Sequence, residues 1–441
     1  MEMDVKFLLI SLSLIFIIML SEAELIRSKR SIFFNETEFL LNLVFPKEPN
    51  IVRVRNSAEA RATNEVTTLD FIGLIERYGY PSEEHHVTTE DGYNLKIHRI
   101  PGSPLSNSQQ NKIVVFLMHG ILCSSDCWVT LGANKDLAFL LADQGYDVWL
   151  GNYRGNSYCR SHIEMSPRDA NFWQYSYHDI GTKDLPTMID YVLNYTKSET
   201  LHYIGHSMGT TVLFALLSTK PEYNAKIRLG ICLAPIAFWK EVSPIIKFLI
   251  DLAPLLEVFL DNNEINEIAP LSSTSVTLGR KLCADEAITQ VFCITMLFLF
   301  TGPDLIQLNA TALPEILSYY PAGTSVKNLL HYSQNVIRGD FQNFDYGRLG
   351  NYERYKQPTP VRYDLKKITA SIALFYGIND VLSLKSNVLY LYERLPNVVW
   401  LEEHPFRLLN HFDFLWAVDA KTLLYDRLIK IMQKFDAELD S

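Results

Sequence analysis

Gly205-His206-Ser207-Met208-Gly209 has the residue types of an exposed nucleophile. A serine held on a sharp turn between a strand and a helix needs small neighbours on both sides, because larger side chains clash where the backbone doubles back. The context fits: the strand-like run LHYI leads in and the apolar helical run TTVLFALL leads out. The competing reading is a turn serine whose glycines serve geometry alone. A serine hydroxyl is a weak nucleophile and needs a base, and the base needs a group to orient it. In a strand–turn–helix architecture of this kind the acid and then the histidine follow the serine along the chain. Asp380 fits the acid, lying just past the apolar run IALFY in a loop that contains Gly377. His404 and His411 both follow it, and spacing does not separate them. The chemistry also needs donors for a developing oxyanion. One is the backbone N–H after the nucleophile, at Met208. The other is expected in His119-Gly120-Ile121-Leu122, at the end of an earlier strand, with the Ile121 N–H as candidate. The alternative for His119-Gly120 is an ordinary strand-ending turn.

The elements that must position these groups alternate. Residues 87–100 read as a hairpin turning at Asp91-Gly92. Residues 113–118, IVVFLM, form a continuous apolar run of the kind found in parallel strands buried on both faces. A helix follows over 136–143, closed by Gly145, then a strand over 146–150, a helix over 184–193, a strand over 201–204 and a helix over 210–217. Residues 231–234 and 372–376 supply two further short strands. Strands alternating with helices predict an α/β protein with a mostly parallel central sheet covered on both faces. Residues 239–361 break the rhythm and read as an inserted helical cap. Within it, 244–260 is apolar with only Lys247, Asp251 and Glu257 as charges, and Pro254 is expected to kink or end its helix. The core is therefore expected over 65–238 and 362–441.

The 441 residues are 48% hydrophobic and 20% charged, which suits a large core and excludes a disordered or collagen-like chain. The net charge of −10, with no basic run, speaks against nucleic acid as a partner. Lys6 precedes an apolar run over 7–20, shorter than the roughly 20 residues a membrane span needs. Ser21 and Ala23 occupy the small positions of a signal-peptidase site, so residues 1–23 read as a secretory signal, leaving no transmembrane anchor after its removal. Arg27-Ser28-Lys29-Arg30 resembles a furin-type site and marks 24–30 as a candidate propeptide; a solvated basic cluster is the alternative. Asn35, Asn194 and Asn309 open glycosylation triplets. The six cysteines all lie beyond the signal, none in a CxxC pair, so no thiolate metal cage is expected; Cys232, in the run ICLA, reads as a buried free thiol. His85-His86 reads as a solvated strand edge rather than a metal pair, since no third ligand is indicated. Asn152, Arg154 and Gly155 read as structural, and Asp345 and Tyr346 are left without a role.

The chain resembles the acid lipases of the α/β-hydrolase fold, the family that includes gastric and lysosomal lipases and many insect digestive lipases. The resemblance runs from about residue 78 to 416 and is carried by YGYPSEEHHVTTEDGYNL, FLMHGIL, DQGYDVWLGNYRGN, HDIGTKDLPTMIDYV, LHYIGHSMGT, PAGTSVKNLLHYSQ and NHFDFLW. It implies Ser207 as nucleophile, Asp380 as acid and His411 as base. His411 is selected over His404 because the family's histidine precedes an Asp-Phe-x-Trp run, here Asp413-Phe414-Leu415-Trp416. It supports Ile121 and Met208 as oxyanion donors, although the family often has Leu and Gln there; both contacts are main-chain. Cys283 and Cys293 resemble a family disulfide region. The activity implied is a secreted serine lipase acting on esters of neutral lipids, triacylglycerols and sterol esters, at a lipid–water interface, without a cofactor. The lysosomal lumen is the alternative location. A carboxylesterase for smaller soluble esters and a non-catalytic lipid-binding relative are the other readings, and the sequence sets no oligomeric state. Secreted material is expected to begin at Glu24, or at Ser31 if Arg30 is cut. N-terminal sequencing distinguishes the two, and a retained Met1 overturns the secretory reading.

Overall fold

The computed structural model describes residues 45, 46, 49, 51–106 and 112–439. The expected signal and propeptide and Asn35 lie outside the described residues. The chain divides into two compact units, Met1–Lys47 and Glu48–Ser441.

The main sheet lies in the second unit and has nine strands: β1 (Glu83–Thr88), β2 (Tyr93–Ile100), β3 (Val114–Met118), β4 (Asp147–Gly151), β5 (Ser161–His162), β6 (Leu201–His206), β7 (Ile227–Leu233), β8 (Ile372–Tyr376) and β9 (Val398–Glu403). The order is β9-β8-β7-β6-β3-β4-β2-β1, with β5 beside β2. From β9 to β4 every pairing is parallel; β2 is antiparallel to β4, β1 and β5. The parallel strands β3, β4, β6 and β8 are buried at every residue, which is why β3 and β8 read as unbroken apolar runs. The alternation β1-β2, facing solvent on one side, belongs to the antiparallel edge.

Helices cover the sheet. They include α1 (Leu137–Asp143), α2 (Leu185–Thr196) and α3 (Met208–Thr219). α3 is buried from Met208 to Ser218, so its apolarity extends all round rather than along one stripe. Between β7 and β8 the chain forms α4 (Pro244–Asn262), α5 (Ser273–Leu282), α6 (Gln290–Thr301), α7 (Val326–Arg338) and α8 (Gly347–Tyr355). α9 (Lys385–Tyr392) and α10 (Asp426–Leu439) follow β8 and β9. α4 runs through Pro254 without ending there. That proline leaves one carbonyl a turn earlier without its helical donor, a loss that water tolerates on the exposed face where Pro254 sits. The apolar residues 293–300 lie within α6.

The insertion is stitched to the strand ends. Ala322 N–H donates to Leu122 O (2.6 Å), His411 N–H to Thr301 O (3.1 Å), Ser325 Oγ–H to Tyr175 O (2.7 Å) and Tyr332 Oη–H to Thr211 Oγ1 (3.0 Å). A disulfide joins Cys283, capping the C-terminus of α5, to Cys293 in the first turns of α6. Cys123, Cys127, Cys159 and Cys232 are free and buried.

Closing a loop of about ten residues by a disulfide contributes about 3 kcal/mol through the unfolded chain. Replacing Cys283 and Cys293 by alanine should destabilise this part of the insertion by about that amount. Limited proteolysis should then cut first between residues 284 and 292, and a digestion pattern identical to the parent would contradict it.

Candidate active site

Ser207 is the residue between β6 and α3, and its backbone is at φ 54°, ψ −118°. Such a conformation costs a non-glycine residue on the order of 1–3 kcal/mol and persists only where surroundings impose it. Three features impose it here. Ser207 N–H donates to Leu233 O at the end of β7 (3.0 Å). A Cβ at Gly205 would lie 2.8 Å from the Gly209 carbonyl group, and a Cβ at Gly209 would lie 2.3 Å from Met118 O. The helix therefore enters directly against β3, and only glycine fits either position. The turn projects the hydroxyl past the C-terminal ends of the parallel strands, where α/β sheets place their ligands.

The other groups arrive from neighbouring strand ends. Asp380 follows β8, and His411 lies in the loop after β9. His411 Nε2 is 2.8 Å from Ser207 Oγ, and His411 Nδ1 is 2.7 Å from Asp380 Oδ2. Asp380 Oδ1 accepts the N–H groups of Leu382 and Ser383, both at 2.8 Å, which fixes the carboxylate without a competing cation. All three residues are buried, Ser207 with 3% of its surface exposed. The backbone of His411 is held too: its N–H by Thr301 O, and its carbonyl by His206 Nε2–H (3.0 Å). Burial drives the His206 pKa well below the ordinary imidazole value, with His411 adding to that depression. The imidazole packed beside His411 is thus a neutral donor (ring centroids 4.8 Å apart).

Gly120 lies against Ser207: a Cβ built on it would be 3.0 Å from the serine Cβ. Its carbonyl is anchored by Tyr153 Oη–H and by His119 Nδ1–H (2.9 Å). Because the peptide is planar and trans, fixing that oxygen also fixes the opposite direction for the Ile121 N–H. His119 accepts from Asn156 Nδ2–H (3.2 Å) at its other nitrogen, and burial pushes its pKa down to about 4, so it too is neutral. The Met208 N–H is the first of α3 and has no partner within the helix. The site thus holds a serine–imidazole–carboxylate relay with two main-chain donors nearby. That arrangement can transfer a proton from the hydroxyl and stabilise a tetrahedral oxyanion.

His404 is elsewhere: its Nε2 faces Leu423 O (2.9 Å) and its Nδ1 accepts from Phe406 N–H. Arg154 is buried and bridges Asp184 and Asp91, while Asn152 accepts from Ser125 N–H. A Cβ at Gly155 would collide with the Tyr175 hydroxyl. His86 is exposed, but His85 is not at a solvated edge: it packs on Trp149 and Tyr195 and hydrogen-bonds Tyr191 (2.9 Å). Among the described residues no cluster of three or more His, Cys, Asp or Glu side chains is arranged to hold a metal. Asp345 is bonded to Asn351 and Gln334, and Tyr346 stacks under Lys327 and Arg354, so neither is directed to the triad by these contacts. Asn194 is exposed; Asn309 is half-buried and uses its Oδ1 to cap the turn Ala310–Ala312. Tyr153 and His206 carry site geometry that sequence patterns do not reveal. Tyr153 sits inside NYRGN, where the neighbouring residues read only as structural.

Two family profiles match, "Partial alpha/beta-hydrolase lipase region" over residues 71–132 and "alpha/beta hydrolase fold" over 113–251. The chain is 38% identical to the gastric triacylglycerol lipase of Bos taurus, over 84% of this chain and 93% of that one. It is 39% identical to Lipase 3 of Drosophila melanogaster, over 82% and 92%. It is 38% identical to the lysosomal acid lipase/cholesteryl ester hydrolase of Macaca fascicularis, over 85% and 93%. Among solved structures, a putative lipase from Sulfolobus solfataricus superposes with a TM-score of 0.51 at 13% identity, over 80% of this chain and 94% of that one, a likeness of fold alone.

Gly209→Ala tests the turn. The added methyl meets the Met118 backbone and cannot be relieved by a rotamer change, so it should cost at least the roughly 1–3 kcal/mol typical of overpacking. Turnover of a soluble ester should fall more than about tenfold with the shift of Ser207. A Gly209→Ala protein of unchanged melting temperature and activity would refute the close approach.

Proposed function

The chain belongs to the gastric and lysosomal acid lipase family of the α/β-hydrolase fold, and from that premise we propose a mechanism for its site. The enzyme is a carboxylic ester hydrolase acting on esters of neutral lipids. The observation that carries the mechanism is the pair of short hydrogen bonds from His411, to Ser207 Oγ and to Asp380 Oδ2.

His411 Nε2 takes the hydroxyl proton as Ser207 Oγ attacks the ester carbonyl carbon. Asp380 remains ionised and stabilises the imidazolium. The carbonyl oxygen becomes an oxyanion between the N–H groups of Met208 and Ile121, the latter aimed by the Tyr153 and His119 bonds to Gly120 O. The imidazolium then protonates the departing alcohol oxygen, leaving an acyl-enzyme. Water enters, gives a proton to His411 as its oxygen bonds the acyl carbon, and the Ser207 Oγ–acyl bond then breaks as His411 returns that proton to Oγ, releasing the fatty acid. No step needs a metal or a diffusible cofactor. The neutral state of His206 suits this cycle, because a permanent imidazolium beside His411 would oppose its protonation.

Residues 239–361 act as the cap. Ser207 is covered, and the bonds from Thr301 to His411 and from Ala322 to Leu122 bring the insertion to both sides of it. A small cavity lined by Leu297, Leu313, Ile316, Tyr320, Phe412 and Trp416, together with Asn410 and Asp413, adjoins the His411 loop. The cap also exposes apolar side chains: Leu255 (46%), Val258 (57%) and Phe292 (59%). With a net charge of −10, docking on a droplet relies on this apolar area, at about 25 cal/mol per Å² buried. The gastric and lysosomal relatives favour a secreted or lysosomal-lumen enzyme. No helix among the described residues is long and apolar enough to cross a membrane.

Ser207→Ala should fold, lose labelling by a fluorophosphonate and lose nearly all turnover, keeping a residual on the order of 10³ over water from the oxyanion donors. Near-parental activity in that variant would sink the mechanism. A second measurement separates lipase from esterase. Activity on a sparingly soluble triglyceride should rise sharply once droplets form. Leu255→Glu with Val258→Glu should lower droplet hydrolysis roughly tenfold while changing hydrolysis of a short soluble ester by less than about twofold. Equal losses on both substrates favour the esterase reading.

A further inference from the structure

We propose that Asp304 and Asp413 share a single proton and thereby position the His411 loop on the end of the cap, a reading that rests on the Ser207–His411–Asp380 assignment above. Asp413 is two residues past His411, and Asp304 is three past the end of α6. The backbones around them are already clasped: Thr301 O accepts from His411 N–H, Gly302 O from Asn410 Nδ2–H (2.9 Å), and Pro303 O from Asn379 Nδ2–H (3.0 Å). Both carboxyl groups are buried, with 1% of Asp304 and 5% of Asp413 exposed, and they lie within hydrogen-bond reach of each other.

Their remaining partners do not account for all four oxygens. Asp304 Oδ1 accepts from the N–H groups of Ile306 (2.8 Å) and Gln307 (3.1 Å). Asp413 Oδ2 accepts from Asn410 N–H (2.7 Å). Asp304 Oδ2 is buried and has no donor. Two carboxylates offer only acceptors, so two ionised groups at this distance would repel with nothing to offset the lost hydration. One proton on Asp413 supplies the missing donor for Asp304 Oδ2 and removes a charge.

The surroundings favour that proton. Burial, first, pushes the Asp413 pKa up to about 8; the charges of Asp304, from the cap end, and Asp380, from the loop after β8, push the same way, while the Asn410 N–H opposes them. His411 shares the loop, and His206, facing it from β6, is neutral. The folded value lies above the usual carboxyl value of 3.8, so the folded state binds more protons than the unfolded chain between about pH 4 and pH 8. The stabilisation is full below about pH 4 and is lost as pH rises through about 8. Above that, three carboxylates meet beside the base, and the loop holding His411 is pushed from Thr301. Asp304 and Asp413 are thus positioning residues that favour an acidic medium.

The test compares the parent with Asp413→Asn, Asp304→Asn and Asp413→Ala, using kcat and KM on a short soluble ester from about pH 4 to 9. Fluorophosphonate labelling at about pH 5 counts competent Ser207. The amide introduced by Asp413→Asn would donate to Asp304 Oδ2 at every pH. The parent kcat should fall across an apparent pKa near about 8, and Asp413→Asn should keep kcat within about threefold at about pH 5 while moving that fall up by about a unit or more. Asp413→Ala should lose more than about tenfold in kcat at about pH 5 with KM nearly unchanged. Should it fail to fold, Asp304→Asn serves: its melting temperature should lose less between about pH 5 and pH 8 than the parent's. An unchanged alkaline fall in Asp413→Asn, or a parallel loss of melting temperature in Asp304→Asn, overturns the proposal. So does restoration of parent kcat at about pH 8.5 by millimolar Ca²⁺, reversed by a chelator, which would make the pair a cation site. A parent that does not label overturns the triad reading, and this one with it; a labelled parent with either of the other results overturns this one alone.

Discussion

A β-carbon at Ser207 crowds the backbone when φ is 54°, and the chain tolerates it because α3 lies closer to β3 than any residue but glycine allows. Gly209 sits on the Met118 carbonyl and Gly205 on Gly209. From this contact the rest follows in order. The hydroxyl is lifted clear of the sheet, the first amide of α3 is left open, and Gly120 is brought against the serine. The same contact requires β3 and β6 to be neighbours, and the two pair in parallel although β4 and α2 come between them in the chain.

Charge at the site is arranged by burial more than by ion pairing. Asp380 is held by two amides rather than by a cation, and His119 and His206 are kept neutral by desolvation. Arg154, by contrast, directs its charge to Asp91 and Asp184, away from the relay. Ser207, His411 and Asp380 therefore face few fixed charges, and the amides that hold Asp380 are fixed dipoles of the backbone. Such dipoles need no rearrangement as charge develops.

Strands β3 and β8 are legible in the sequence because each is buried on both faces and so appears as a short unbroken apolar run, VVFLM and IALFY, whereas the edge strand β9, VVWLEE, is largely half-buried or exposed and carries no such signal. The serine turn is legible because its glycines are forced by contact. His411 and His404 are indistinguishable by spacing: both follow β9 within eight residues, and only the folded loop shows that one faces Asp380 and the other Leu423. The resemblance to the family chooses between them where the residues alone do not. Tyr153 escapes a sequence reading because its task is to hold a carbonyl thirty-three residues away, a long-range contact with no local pattern. His85 misleads because an edge strand still has one inward face, and Trp149 and Tyr195 cover it. Of the two outcomes expected at Pro254, ending the helix does not occur: one missing amide on an exposed face does not stop a helix that continues to Asn262.

Helix α6 is fastened at both ends, by Cys293 to Cys283 near its start and by Thr301 to His411 at its close. At about 1.5 Å per residue its twelve residues form a strut of about 18 Å between the rim of the insertion and the loop that holds His411. The insertion is therefore not a detachable cassette. An engineer who exchanged residues 239–361 for the matching segment of a relative, to alter which esters are accepted, would also be replacing the carbonyl that holds the backbone of His411. Junctions placed within α6 would leave Thr301 and the 302–304 turn with the parent enzyme, so that a new rim is joined to an unaltered hinge.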